Sequence, residues 1–408
     1  MDRPRQTTFE FAAPITPTAA SRTRSSPAHT QLSVRVMPRE TVTIVGLGIA
    51  WILRVRPLHQ EIRFARAADG TRIAFSTMGE GAALVNAAHW LGHLEFDWQT
   101  PVWLPWMQRL CARFRLTRYD SRGCGLSDRD VPPPTLDDLV ADLEAVVDAA
   151  GLDRFALLGK SQGGAISVAY AARHPERVSH IVLCGAFARG ALRRGPTPEQ
   201  RAGIEAVCQL VEVGWGRRNA AFLQMFTSLF FPQATPEQAS AFNEIQRRAT
   251  SPRHAARLLR SLIELDASPM LADIRCPTLV VHSRGDAISP FEEGRFLAAS
   301  IPGARLEPLD ARNHVPLAGE PAFDRVFALI EQFLPAPPAG GAIFKDLTDR
   351  ERTMLDLIAR GLDNAQIAAH LALAEKTVRN RITSIFAKMG VENRPQAIVR
   401  ARDAGLGH

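Results

Sequence analysis

Apolar residues recur with two different periods along this chain. Between residues 61 and 309, short apolar runs of strand length alternate with stretches where apolar positions return every three or four residues. Residues 61–65 and 71–76 read as paired strands around Asp69-Gly70, a hairpin signal. Residues 82–88, 114–119, 155–158, 178–183, 278–281 and 305–309 read as further strands. Residues 135–150 are helical, with Leu136, Leu139, Leu143 and Val147 on one stripe, and a second helix covers 166–174. Strands alternating with helices predict an α/β, doubly wound and mostly parallel sheet. Ligands in such sheets bind beyond the carboxyl ends of the strands. Residues 186–270 break the alternation and are mainly helical. Within them Thr197-Pro198-Glu199-Gln200 and Thr235-Pro236-Glu237-Gln238 each read as an N-cap, a Pro at the first helical position and a reciprocal Gln. Phe222, Met225, Phe226, Leu229, Phe230 and Phe231 form an aromatic and methionine stripe between those signals. Core packing is the default role for such a stripe.

The Pro- and Gly-rich residues 336–343 form a linker, stiff and then flexible. Beyond it, residues 344–408 show only the helical period, which predicts a small all-α domain. Thr348-Asp349-Arg350-Glu351 is a capping box, Met354, Leu355 and Ile358 give its helix a buried stripe, and Gly361 stops it. Asn364 is placed to cap a second short helix with Ile367, Ala368 and Leu371 inward. A tight turn at 372–374 leads into a longer helix over 375–389. There Val378, Ile382, Ile385 and Met389 share one face, with Phe386 at its edge. Lys376, Arg379, Asn380 and Thr383 share the opposite face, with Thr377 near its start and Arg381 and Lys388 at the flank. One side is suited to packing, and the other carries donors long enough to read base edges in a major groove. A fourth helix follows Gly390, with Ala397, Ile398 and Ala401 inward.

Composition adds little to this pattern. The 408 residues are 46% hydrophobic and 22% charged, with a net charge of +7, enough for two or three domains. A basic balance fits a polyanionic partner. Cys111, Cys124, Cys184, Cys208 and Cys276 are odd in number and scattered, so neither a disulfide framework nor a metal site is expected. Scattered thiols suit the cytoplasm. Residues 1–58 differ from the rest. Residues 1–39 lack periodicity and read as disordered. Residues 41–53 are apolar but too short to span a membrane, and they lie too deep for an ordinary secretory signal. Gly46-x-Gly48 lacks the third glycine and the βαβ context of a dinucleotide site, so no cofactor is expected.

Candidate chemistry sits at the strand ends. Gly159-Lys160-Ser161-Gln162-Gly163 follows a strand and opens a helix, the context in which a Ser hydroxyl is held out at the sheet's edge. The helix start favours developing negative charge there. A serine needs a base, and the base an orienter. Asp286 lies in the loop after 278–281, and His314 in the loop after 305–309. Asp310 is the runner-up acid, and His89, His93 and His282 compete with His314, though none of them follows the last strand.

The order Ser161, Asp286, His314 resembles that of the α/β-hydrolase superfamily, as do Tyr119-Asp120-Ser121-Arg122-Gly123, the elbow, Gly285-Asp286 and Asn313-His314. The resemblance covers residues 59–335. It implies Ser161 as nucleophile, His314 as base, Asp286 as orienter, and residues 186–270 as the cap. It also implies an oxyanion hole from the backbone N–H groups of Gln162 and Trp90. Trp90 stands where many members have a glycine, and Lys160 beside the serine is less common. The tail resembles the helix-turn-helix of LuxR-type transcriptional regulators, without a gap from Leu347 to Leu406. Many members have His at Arg381 and Leu at Met389. That resemblance implies double-stranded DNA as partner, read through Lys376, Thr377, Arg379, Asn380, Arg381, Thr383 and Lys388, and a homodimer on DNA. The expected protein is a cytoplasmic regulator, without membrane or metal, whose hydrolase-like domain senses a small apolar acyl or ester ligand. A serine hydrolase with an accessory DNA-binding tail is the alternative.

Overall fold

The computed structural model describes residues 60–89, 91–215, 220–334, 344, 347–371, 373–403 and 406–407, together with the backbone of three short strands before residue 54. Those strands, β1 (Val34–Val36), β2 (Val42–Gly46) and β3 (Ile49–Leu53), form an antiparallel sheet in a unit of their own, residues 1–57. β1 falls inside the stretch expected to be disordered. Two β-branched valines at alternate positions suit it to pairing with the valine-rich β2.

The larger unit holds an eight-stranded sheet: β4 (Arg63–Arg66), β5 (Arg72–Met78), β6 (Ala82–Ala87), β7 (Phe114–Tyr119), β8 (Phe155–Lys160), β9 (Val178–Cys184), β10 (Thr278–Ser283) and β11 (Arg305–Leu309). The spatial order is β11-β10-β9-β8-β6-β7-β5-β4. The six strands from β11 to β7 are parallel, and β5 and β4 return antiparallel through the Asp69-Gly70 hairpin. The central strands β8 and β10 are wholly buried and β6, β7 and β9 largely so, as a sheet covered on both faces requires, whereas the edge strand β11 is mostly exposed or half-buried.

The helices of this domain are α1 (Leu104–Cys111), α2 (Leu136–Ala149), α3 (Gly163–Arg173), α4 (Pro198–Gly214), α5 (Ala220–Phe230), α6 (Pro236–Ala249), α7 (Pro252–Glu264), α8 (Phe291–Ser300) and α9 (Pro321–Phe333). α2 starts at a full capping box from Thr135 and Asp138. α4 and α6 start at the Thr197/Gln200 and Thr235/Gln238 boxes. α4 packs on α7 and α5 on α6, which makes the insertion after β9 a helical layer of its own.

The tail has a separate apolar core built from α10 (Asp349–Ala359), α11 (Asn364–Leu371), α12 (Glu375–Met389) and α13 (Arg394–Asp403). Thr348 and Glu351 form the capping box of α10. The cap of α11 differs from expectation. Asp363 accepts from Gln366 N–H at 2.8 Å and Gln366 returns a bond to Asp363 N–H at 2.9 Å. Asn364 instead accepts from Arg394 at 3.1 Å. A carboxylate followed three residues later by Gln closes the reciprocal box one position earlier than the Asn reading placed it.

Candidate active site and DNA-binding face

Ser161 sits at the carboxyl end of β8, just before α3. It is the one non-glycine with positive φ (54°) among the described residues, and such strain collects at functional turns. The neighbouring glycines make the turn sterically feasible. A Cβ on Gly159 would stand 2.7 Å from Gly163 O, one on Gly163 2.9 Å from Ala87 O, and one on Gly164 2.5 Å from Ala186 Cβ. The motif's small residues are therefore packing requirements that let β8, β6 and α3 converge below the hydroxyl.

Asp286 and His314 converge from the loops after β10 and β11. His314 Nδ1 and Asp286 Oδ2 are 2.7 Å apart, and both residues are buried. The other carboxylate oxygen accepts from the N–H groups of Ile288 and Ser289 at 2.8 and 3.0 Å. The histidine's own loop is fixed by Asn313, whose carbonyl accepts from Ser283 Oγ and whose amide bonds Gln233 N–H and Glu320. His314 Nε2 is buried without a hydrogen-bond partner among the described residues, and it lines the same cavity as Ser161. An imidazole with one nitrogen held by a carboxylate and the other free is what a general base beside a hydroxyl requires.

Of the competing residues, His89 reaches the cavity wall, and His282 lies 3.5 Å from the Asp286 oxygen that holds His314. Asp310 is exposed at the end of β11. His282 is buried in β10, with Nε2 2.7 Å from Ser289 O. His93 accepts from Phe96 N–H. His89 lies on the cavity wall, its ring 4.6 Å from that of Trp103. Of the two expected oxyanion donors, Gln162 is buried at the start of α3, and Trp90 lies outside the described residues.

The cavity is mainly apolar. Leu91, Trp103 and Val315 come from the sheet domain, and Phe230, Phe231 and Phe242 from the helical insertion. The Phe230 ring stands edge-on to His314 at 5.6 Å, and its carbonyl accepts from His314 N–H. Of the aromatic stripe, Phe230 and Phe231 reach the cavity, whereas Phe222 and Phe226 pack in the core and Met225 is partly exposed. Phe242 escaped the sequence reading. Its signal was the inward spacing of Phe242, Ile245 and Ala249 along α6.

The sequence reading also passed over the burial of Lys160. β8 extends two residues past its apolar run, so Lys160 is a strand residue paired with Cys184 and 4% exposed. Its Nζ lies 4.5 Å from the Trp103 ring centre and 4.8 Å from that of Trp106. Burial lowers its pKa from 10.5 to about 8. The Asp120-Ser121-Arg122-Gly123 stretch serves structure. Asp120 accepts the N–H groups of Leu94 and Leu126, and burial pushes its carboxyl up to about 7. Arg122 is held by Asp142 and Asp69. No disulfide forms, and burial raises the thiols of Cys111 and Cys276 to about 11. The described residues contain no cluster of three or more metal-ligating side chains and no helix long and apolar enough to cross a membrane.

In the tail, Val378, Ile382, Ile385 and Met389 are buried, whereas Lys376, Arg379, Asn380 and Thr383 are exposed. Thr377 and Arg381 are half-buried. Arg379 lies 3.3 Å from Glu375 one turn earlier, and Thr383 Oγ1 bonds back to Arg379 O. Lys388 is engaged within the domain: its Nζ bonds both carboxylate oxygens of Glu351 at 2.7 Å. Those bonds and the Thr348 N–H hold the Glu351 carboxyl down at about 2. The helix α12 thus offers an exposed cationic and amide face at Lys376, Arg379 and Asn380, with Lys388 tied back to α10.

A serine elbow on a parallel sheet, joined to four helices with an exposed basic third helix, defines a hydrolase fold fused to a helix-turn-helix module. Comparison with known families agrees. The alpha/beta hydrolase fold family matches residues 91–321, and the luxR family of bacterial regulatory proteins matches residues 345–401. The chain belongs to the α/β-hydrolase fold family and carries a LuxR-type DNA-binding domain. It is 30% identical over 255 residues to a pimeloyl-[acyl-carrier protein] methyl ester esterase of Chromobacterium violaceum, covering 62% of this chain and 95% of that protein. It is 29% identical over 261 residues to the AB hydrolase superfamily protein YisY of Bacillus subtilis, covering 63% and 92%. A solved hydrolase from Pseudomonas aeruginosa superposes with TM-score 0.56 at 25% identity, covering 68% of this chain and 99% of that one.

Proposed function

We propose that this protein is a cytoplasmic transcriptional regulator whose hydrolase domain binds, and turns over, a small apolar acyl or ester ligand. The observation that carries this reading is the Ser161 cavity: a strained serine and a carboxylate-held histidine share an apolar wall, on the same chain as a DNA-binding domain. The esterase named above is consistent with ester chemistry. In the proposed reaction His314 takes the Ser161 proton as Oγ attacks the ester carbonyl. The Gln162 N–H meets the developing oxyanion, and the alcohol leaves with the proton from His314. Water then hydrolyses the acyl-serine by the same route. On the DNA side Lys376, Thr377, Arg379, Asn380, Arg381 and Thr383 approach the major groove, and two copies bind paired half-sites. Ligand control requires the occupied cavity to favour one arrangement of the tails over another.

The test uses the purified full chain on a series of aryl esters of rising acyl length, beside Ser161→Ala. The expected result is a loss of about 10³-fold or more in turnover, with DNA binding retained. Turnover that survives the substitution removes the serine mechanism. Ligand-dependent DNA binding without any turnover leaves a sensor that has kept the site only as a pocket.

A further inference from the structure

A second chamber shares a wall with the serine cavity, and nothing in the proposed hydrolysis uses it. The two spaces share three wall residues, His89, Trp103 and Lys160. The apolar part of the chamber comes from α1 and from Leu116 of β7. Its polar part consists of Asn86 from β6, Arg118 from β7, Lys160 from β8 and Asp97. Each of these four side chains is more than nine-tenths buried, as is Trp103.

Buried polar groups are normally hydrogen-bonded, and here several are not. Arg118 spends Nη1 on Asp97 Oδ2 at 2.8 Å and Nη2 on Leu94 O, which leaves Nε without a partner. Asp97 Oδ1, Asn86 Oδ1 and Trp103 Nε1 are also unpartnered among the described residues. Among the described residues Lys160 forms no salt bridge; its Nζ faces two indole rings, and the carboxylate that acts on it is Asp97, already paired with Arg118. The charges lining the chamber are Lys160 and Arg118 against Asp97, so one positive charge is left without a counter-ion. A desolvated ammonium in that state is costly, and an anion within reach offsets the cost. The unpaired donors are Lys160 Nζ, Arg118 Nε and Trp103 Nε1. The unpaired acceptors are Asp97 Oδ1 and Asn86 Oδ1. A carboxylate satisfies the first set and a hydroxyl the second.

We propose that this chamber is a binding site for a short hydroxycarboxylate, reached from the serine cavity past His89, Trp103 and Lys160. Its carboxylate bonds Lys160, Arg118 and the Trp103 indole N–H. Its hydroxyl donates to Asp97 or Asn86. Binding does not depend on turnover at Ser161, so the two readings fail separately. Besides Asp97 and Arg118, the ionisable groups facing Lys160 are His89 on the shared wall and Cys184 on the neighbouring strand β9. Burial holds His89 neutral and the Cys184 thiol protonated, so Lys160 is the group that titrates near pH 8.

The experiment titrates the full chain with 3-hydroxybutyrate, butyrate and 3-hydroxybutyramide while following tryptophan emission, because Trp103 and Trp106 line the chamber. Saturable binding of 3-hydroxybutyrate is expected. Butyrate should bind about tenfold more weakly for want of one charged hydrogen bond, and the amide should not bind. Lys160→Met, checked for folding by circular dichroism, should lose at least tenfold in affinity. A measurement on the wild-type chain alone guards against a misfolded variant: affinity should fall about tenfold per pH unit above about 8 as Lys160 loses its proton. Absence of saturable binding overturns the proposal, as do equal affinity for the amide or for butyrate, undiminished binding by folded Lys160→Met, and affinity independent of pH.

Discussion

Replacing Lys160 by Met should stabilise this protein at neutral pH. Lys160 is a charged group in a site 4% exposed, and its pKa falls from 10.5 to about 8 because burial disfavours the ammonium. At about 1.4 kcal/mol per pKa unit, that fall corresponds to roughly 3 kcal/mol of unfavourable charge burial. The Trp103 and Trp106 faces return about 1–2 kcal/mol as cation–π attraction. Methionine fills similar volume and keeps favourable sulfur contacts with both rings. The net expectation is a gain of about 1–3 kcal/mol, or several degrees in Tm for a domain of this size. The pH dependence gives the sharper test. Below about pH 8 the lysine is protonated both folded and unfolded, and the penalty is fully present. Between about 8 and 10.5 the unfolded chain binds the proton more than the native one, so wild-type stability rises with pH relative to the variant. The advantage of Lys160→Met should therefore shrink through that window and vanish above it. Urea unfolding of both full chains at about pH 7, 8.5 and 10, in carboxylate-free buffer, measures this. A variant less stable at pH 7, or a difference that does not change with pH, would mean that the buried ammonium carries no such penalty.

Asp286→Asn should leave the fold intact and lower ester turnover by about 10²–10⁴-fold, because the His314 ring loses the carboxylate that orients it and stabilises its charged form. Initial rates on the aryl ester series check this. Gly159→Ala should cost about 1–3 kcal/mol in denaturant unfolding, since its Cβ meets Gly163 O at 2.7 Å and Ser167 Oγ at 2.8 Å. Arg379→Ala should cost sequence selectivity in DNA binding, whereas Lys388→Ala, which frees Glu351, should change the stability of the tail by less than about 1 kcal/mol and weaken DNA binding less. Equal, sequence-independent weakening by both substitutions would contradict the facing of α12.

Much of this architecture was legible because local signals and long-range order agreed. The Thr135, Thr197, Thr235 and Thr348 starts all became capped helices, and the 114–119 and 305–309 runs became strands with those bounds. The strand-end placement of Ser161, Asp286 and His314 was legible from order alone, because a parallel sheet brings the ends of successive strands to one edge. The chamber behind them was not. Apolar periodicity stops β8 at Leu158, but backbone pairing with β9 carries it to Lys160 and buries a lysine that composition places at the surface. Partners distant in sequence were equally hidden. Asp97 and Arg118 meet across 21 positions, and Lys388 and Glu351 across 37, with no local pattern to announce either pair. The cap of α11 was misplaced by one residue because Asp363 and Asn364 are both good caps, and the reciprocal Gln366 decides between them.

In the proposed regulator an occupied cavity in the hydrolase domain alters what the tail does on DNA. The most direct measurement is selection of bound duplexes from a random pool by full-length Ser161→Ala, which retains intact ester, with and without an apolar acyl ester, followed by affinity for the winning sequence across a salt series. The expected outcome is a recovered site of paired half-sites, salt-sensitive affinity, and a several-fold change in that affinity when the ester is present. A single affinity for the selected duplex, unmoved by any ester that demonstrably fills the cavity, would contradict it.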